Sequence, residues 1–290
     1  MIEYLAKKNY KRLASLIHKS PKGISIPPQP YQWYLEQLQS IENVRFCNYA
    51  HYEYLKGNKY RFQIKSEDLL GFRNVFIRHD VDHGPKSALK MAKIEAEMDI
   101  TANYYFLTTD SVYATRYWKS KRDSFLKQML EIQEMGHEVG LHYDFMGDYF
   151  SKGIPPYENV KHLVHEFREA GIKLSGCVSH GSSATRWLLK GKQKANFPKE
   201  FINYNIWNET SKFASKLKLN KKTLNTPVFS LESFGLKYEA YHVSRDLYSS
   251  DTGGVFWRIA DPIDQAKALK DGQILTILTH PAWWKGHLKG

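Results

Sequence analysis

Short apolar runs alternate with amphipathic helical stretches from Asn74 to Thr279, and this alternation restricts the fold more than any other feature of the chain. Asn74–Asp80 (NVFIRHD) reads as a strand. The following GPKSALKMAKIEAEMD reads as a helix, because Pro85 suits a first turn and Leu89, Ala92, Ala96 and Met91, Ile94, Met98 recur at helical spacing. The pattern repeats with a strand over Thr101–Leu107 and a helix carrying Phe125, Met129 and Ile132 on one face, which Gly136 can stop. A strand over His137–His142 follows, then a helix over Tyr157–Ala170 with Val160, Leu163, Val164 and Phe167 in one stripe, then a strand over Ile172–Ser179. Phe234–Val243 alternates like a strand with one face covered, and a helix over Pro262–Lys270 and a strand over Gln273–Thr279 close the series. Parallel strands need crossover helices, so the expected class is α/β with a parallel sheet, whose functional residues lie at the carboxyl ends of the strands. Residues 1–70 stand outside this pattern, as an extension with one predicted helix over Tyr31–Ile41.

The predicted strand ends carry the chemistry. The first runs into His79-Asp80-Val81-Asp82-His83, and a period of two sends Asp80 and Asp82 the same way. Two carboxylates on one side can divide labour, one binding a divalent metal and the other taking a proton from water. They can equally cap the helix at Pro85 or pair with Arg78. In the third strand alternation places Glu138 and His142 on one face and His137 on the other. Three strands finish on a histidine, at His142, His180 and His280, and twelve histidines placed at random would rarely do so. Imidazole and carboxylate together suit zinc or a similar divalent ion, and hydrolysis is the natural reaction of such a site.

These residues carry a resemblance. RHDVDHGP (Arg78–Pro85), GHEVGLH (Gly136–His142) and ILTILTHP (Ile274–Pro281) resemble the motifs of the polysaccharide deacetylases, the NodB-homology family of carbohydrate esterases, over roughly Asn74–Trp284. The resemblance implies a distorted (β/α) barrel over residues 71–290, with an N-terminal extension at 1–70 and a basic insertion at about 185–222. It implies a hydrolase that removes acetyl groups from a sugar or glycan precursor, breaking a C–N or ester bond with a divalent metal, zinc being the expected ion. Carried over by position, Asp80 resembles the catalytic base, Asp82 and His142 metal ligands, and His280 the acid that protonates the leaving group. Asp251 and Trp257 fall where the family has residues that orient the site, and with His83 they are assigned to substrate binding. The chain departs from the pattern twice. Met146 stands where a second metal histidine is usual, and SHGSS (Ser179–Ser183) replaces the arginine-proline motif that steadies the base. His180 is therefore expected to complete the metal shell, with Asp144 and His83 as competitors. The alternative is a catalytically silent protein of the same fold that binds glycans or nucleic acid.

Charge points to the substrate. The chain carries +12, and ten of its Lys and Arg residues, against Glu200 and Glu209 alone, fall between Thr185 and Lys222 among Trp187, Phe197, Phe201, Tyr204, Trp207 and Phe213. Placed after the fourth strand, this segment is expected to overhang the site and steer an anionic carbohydrate, such as a lipid- or nucleotide-linked sugar, with no nucleic acid as partner. The first twenty residues are broken by charge every few positions, no apolar stretch approaches a membrane span, and Cys47 and Cys177 lack metal-ligand spacing, so the expected setting is the cytoplasm. Replacing Lys190, Lys192 and Lys194 by Ser is expected to raise KM for a phosphorylated sugar with little change in kcat. The defect should shrink as salt rises, since exposed charges are screened beyond about 8 Å at physiological ionic strength. A KM that stays constant across the salt series would remove the steering role.

Overall fold

The computed structural model describes residues 27, 29–56, 62–108, 121–181, 203, 207, 216–219, 222–225 and 230–288. In chain order the elements are α1 (Tyr31–Gln39), β1 (Val44–Phe46), β2 (Tyr54–Lys56), β3 (Phe62–Ile64), β4 (Arg73–Val81), α2 (Pro85–Glu97), β5 (Asn103–Leu107), α3 (Arg122–Glu134), β6 (Glu138–Tyr143), α4 (Phe145–Lys152), α5 (Pro156–Glu169) and β7 (Gly176–Ser179). They continue with β8 (Lys216–Leu219), β9 (Lys222–Asn225), β10 (Tyr238–Glu239), β11 (Leu247–Ser250), α6 (Pro262–Ala268) and β12 (Ile274–Thr279).

The main sheet is parallel throughout and runs β10-β7-β6-β5-β4-β12-β11, with β1 beside the first half of β4. This is the expected α/β class, a curled sheet in which no ladder joins β10 to β11 among the described residues. Helical periodicity located α3 and α5 because each buries the stripe that the pattern marks. Val160, Leu163, Val164 and Phe167 of α5 are all buried, as are Phe125, Met129 and Ile132 of α3. A fully buried side chain of this size contributes roughly 1.5–3 kcal/mol. Gly136 and Gly171 follow α3 and α5 at φ of 92° and 87°, the left-handed conformation in which glycine avoids the Cβ penalty.

Several elements differ from the expectation: residues 1–70 also contribute β1, β2 and β3, and the strand expected over Ile172–Ser179 begins only at Gly176. The strand expected over Phe234–Val243 shrinks to Tyr238–Glu239, because Glu232–Phe234 form a 3-10 turn closed by Gly235 at φ 64°. Leu247–Ser250 is a strand at the sheet edge, too short to show a period. Phe145–Lys152 is a helix that starts on Asp144, whose side chain accepts from Gly147 N. Of the basic segment, Lys216–Leu219 and Lys222–Asn225 pair as an antiparallel hairpin, and Asn203 and Trp207 are buried. Arg186, Lys190, Lys192, Lys194, Lys199, Lys212 and Lys221 lie outside the described residues.

Alternation along the strands gives the sheet two different faces. Val75, Ile77 and Val81 of β4 join the core under the helices, together with Tyr31, Tyr34, Leu35 and Leu38 of α1. Phe76 points to the opposite, inner face, with Tyr105, Val178, Tyr238 and Ile274. The inner face leaves room for two tyrosines by omitting side chains. A Cβ on Gly140 would lie 2.5 Å from the Tyr105 ring, and one on Gly176 would lie 2.1 Å from the Tyr238 ring. The two hydroxyls meet at 2.9 Å, and the Tyr238 hydroxyl donates to Glu138, whose other oxygen accepts from Ala50 N at 2.9 Å. Burial pushes the Glu138 carboxyl up to about 7, even though Tyr238 and Ala50 N work against it. Asn103 fixes the same turn by accepting from Tyr49 N at 2.8 Å and donating to Cys47 O at 3.1 Å. Residues 47–50 are thus held at the amino-terminal ends of the strands, which leaves the carboxyl ends for chemistry.

Gly140→Ala and Gly176→Ala are each expected to lower stability by roughly 1–3 kcal/mol in denaturant unfolding, the usual cost of overpacking a filled core. Wild-type midpoints would show that the tyrosine rings do not need this space.

Candidate metal centre and active site

Strand β4 supplies two carboxylates to the inner face. Asp80 is buried and receives the Arg78 guanidinium two residues earlier on the same face, through Nε to Oδ1 at 2.7 Å and Nη2 to Oδ2 at 2.6 Å. Of the alternatives posed by the sequence, pairing with Arg78 is the one Asp80 adopts. The helix cap is not made, because Gly84 occupies that position and no side chain bonds there. Burial alone would raise the Asp80 carboxyl, but Arg78 and His142 outweigh it and hold it below the ordinary range. Its Oδ2 lies 3.7 Å from His142 Nε2.

Asp82 faces two imidazoles. His142 Nε2 lies 3.1 Å from Asp82 Oδ1, and His180 Nε2 lies 3.5 Å from Oδ2. The three side chains offer ligand atoms that all fall within 4.8 Å of one another, and they are the only such group among the described residues. His142 donates from Nδ1 to Val178 O at 3.0 Å, so in the neutral ring the Nε2 lone pair points toward Asp82, the orientation a metal ligand needs. The arrangement fits a divalent cation on a second ground. Asp82 Oδ1 is buried without a hydrogen bond, which is costly for a carboxylate unless a cation or a protonated imidazole faces it. Burial would raise Asp82, and His180 followed by His142 override it to hold the carboxyl well below its usual value. Asp82 in turn raises His180 against the effect of burial. An Asp-His-His set suits zinc, with room for a further ligand.

Of the competitors for the third position, Asp144 stands behind His180, its Oδ2 at 4.0 Å from Nδ1, while its Oδ1 accepts from Gly147 N and, at 2.7 Å, from Asn203 Nδ2. Asn203 also donates to His180 O at 3.1 Å, and Trp207 Nε1 donates to Tyr143 OH at 2.6 Å. The sequence reading had no means of finding Asn203, which reaches this corner from within the basic segment. Met146 leaves the second histidine position of the family pattern empty of a nitrogen donor, whereas His180 comes to the cluster from the end of β7. His83 sits half-buried in the turn before α2, outside the three-residue cluster.

The last strand completes the mouth. His280 follows β12 and donates from Nδ1 to Asp251 Oδ1 at 2.6 Å. Asp251 Oδ2 accepts from His280 N at 2.8 Å and from Trp284 Nε1 at 3.1 Å. Burial lowers the His280 imidazole, but Asp251 overrides it and, with smaller contributions from Asp82 and Asp80, pushes it up to about 9. Trp257 packs edge-on against Tyr34 at 5.5 Å and tilted against Trp284 at 5.9 Å, so it backs the ring that holds Asp251. The structure thus brings Asp80, Asp82, His142, His180, His280 and Asp251 to the carboxyl ends of β4, β6, β7, β12 and β11.

No family model matches the chain, and no curated protein matches it. Among solved structures, a family 4 carbohydrate esterase from Bacillus anthracis is similar at 14% identity, covering 88% of this chain and 78% of that one, with a TM-score of 0.32. A CE4 family pseudoenzyme from Bacillus anthracis is similar at 13% identity over 71% of this chain and 54% of that one, with a TM-score of 0.35. A mutant of that pseudoenzyme with restored enzymatic activity gives 13%, 71%, 56% and 0.35. This chain spans little more than half the length of these last two.

If Asp82, His142 and His180 are ligands, replacing any one by Ala should reduce bound zinc at least ~10-fold, since losing an outer partner alone costs 10–100-fold. Titration calorimetry with zinc reads this directly. Full affinity in His180→Ala would pass the third position to another group.

Proposed function

We propose that the protein is a metal-dependent hydrolase that removes an acetyl group from the nitrogen, or from an oxygen, of a carbohydrate. The observation that carries this reading is the convergence at one mouth of a three-residue ligand set, a buried carboxylate and a carboxylate-bound histidine. Asp82, His142 and His180 would hold the ion, with zinc the ion best suited to them. When bound, such an ion supplies Lewis acidity toward the acetyl carbonyl and toward water.

The remaining steps belong to the chain. Asp80, ionised and held by Arg78, accepts the proton from the attacking water. The two bonds from Arg78 fix the plane of the carboxylate, which makes Arg78 the counterpart of the arginine missing from SHGSS. His280 carries its proton on Nε2 when Asp251 holds Nδ1, and it donates that proton to the leaving amine or alkoxide as the C–N or C–O bond breaks. A pKa of about 9 keeps His280 in the donating form at neutral pH. The +12 charge supports an anionic carbohydrate, such as a nucleotide- or lipid-linked sugar, as the substrate. No helix among the described residues is long and apolar enough to cross a membrane.

The test is acetate release by zinc-loaded protein from N-acetylated nucleotide-linked sugars and neutral oligosaccharides. Asp80→Asn and His280→Ala are expected to retain zinc while losing ~10²–10⁴ in turnover, because each removes a proton-transfer step. Wild-type kcat should fall as pH rises through about 9, where His280 loses its proton. The sign is the same for stability: a raised histidine pKa stabilises fully below the unfolded value of ~6.5, and this contribution fades as pH rises through the folded value. Zinc binding without acetate release from either substrate class would leave a glycan-binding protein in place of an enzyme.

A further inference from the structure

On the helix-covered face, directly behind the two proton-transfer residues, lies a buried polar cluster that the proposed reaction does not use. Elsewhere this face of the central strands is apolar, with Val75, Ile77 and Val81 on β4 and Leu275 and Ile277 on β12. At one register the pattern breaks. His79 and Thr279 are partners across the ladder, and His79 Nδ1 meets Thr279 Oγ1 at 2.6 Å. His79 Nε2 lies 2.8 Å from Glu95 Oε1 of α2. Glu95 is fully buried, and it also accepts from Tyr104 OH at 2.5 Å and from Tyr31 OH of α1. Tyr104 stacks on the His79 ring at 4.2 Å, and His137 Nδ1 stands 3.8 Å from Glu95 Oε2. Since the carboxylate only accepts, His79 carries its proton on Nε2, and in the neutral ring Nδ1 accepts from the Thr279 hydroxyl.

Burying these polar side chains costs stability unless each is bonded, and apolar residues in their places would hold the helix against the sheet as well. What the polar cluster adds is direction. His79 precedes Asp80 and Thr279 precedes His280, so a bond between them fixes two adjacent strand ends one residue before each emits its functional group on the other face.

We propose that Glu95, His79 and Thr279 form a positioning clamp that sets the placement of Asp80 relative to His280, with Tyr31 tying the amino-terminal helix into it. The kinetic part of this inference rests on the hydrolytic reading, and the geometric part does not. Thr279→Val keeps the shape and removes the hydroxyl. It is expected to lower kcat about 10- to 100-fold with KM and bound zinc unchanged, as for a misplacement of about 1 Å or less near the chemistry. Thr279→Ser should restore most of the turnover. In a His280→Ala background the valine should cost much less, because part of what it disturbs is already gone. Glu95→Gln and Tyr31→Phe provide the same measurements should the valine variant fail to fold.

The readout independent of activity is the imidazole resonance of His280 in heteronuclear NMR. It should shift in Thr279→Val although the two side chains point to opposite faces. An unmoved His280 resonance, or a loss of thermal stability with wild-type kcat, overturns the clamp. Absence of turnover in the wild-type protein would instead defeat the hydrolytic reading, and the NMR result would still decide the clamp.

Discussion

A charge buried in a protein interior must be paired, and β4 buries charged or ionisable groups at three consecutive positions. Arg78 and Asp80 point to the inner face and satisfy each other, and His79 points to the helix face and needs Glu95. Both solutions depend on the strand staying extended between β12 and β5, because a slip of one residue would exchange the two sets of partners. The parallel ladder therefore does more than hold the sheet together. It keeps a guanidinium-carboxylate pair and a histidine-carboxylate pair back to back through one strand.

The site inherits its asymmetry from this arrangement. Asp80 has both oxygens bonded to Arg78, which leaves it ionised and oriented, whereas Asp82, two residues on, faces the imidazoles of His142 and His180. Two carboxylates of one sequence motif thus occupy opposite environments, one suited to hold a proton acceptor in place and the other suited to a cation. Across the mouth Asp251 does for His280 what Arg78 does for Asp80, fixing one ring nitrogen and presenting the other.

Much of this was legible in the sequence because it follows from periodicity. Alternation pairs Asp80 with Asp82 on one strand, and on another it pairs Glu138 with His142 and sets His137 on the opposite face; the structure agrees, with His137 turned toward Ala92 O at 2.9 Å. Alternation has no depth, however. It groups Glu138 with His142, yet Glu138 lies at the far end of the strand against Tyr238 and Ala50. Residues whose roles depend on contacts between distant segments left no local signal. Glu95 is one polar position on an amphipathic helix, Asn203 one more residue of a basic stretch, and Gly140 and Gly176 are two small residues inside predicted strands. Their meaning comes from Tyr31, Asp144 and the two inner tyrosines, which lie many residues away.

The account stands or falls on the Asp82, His142 and His180 cluster as a metal centre, and zinc-edge X-ray absorption of the loaded protein tests it most directly. If these three side chains hold the ion, the spectrum shows nitrogen and oxygen ligands alone, at about 2.0–2.2 Å, with multiple scattering from two imidazoles that falls to one in His142→Ala and in His180→Ala. A spectrum showing sulfur at about 2.3 Å, or two imidazoles retained in both variants, would place the ion elsewhere and contradict the account.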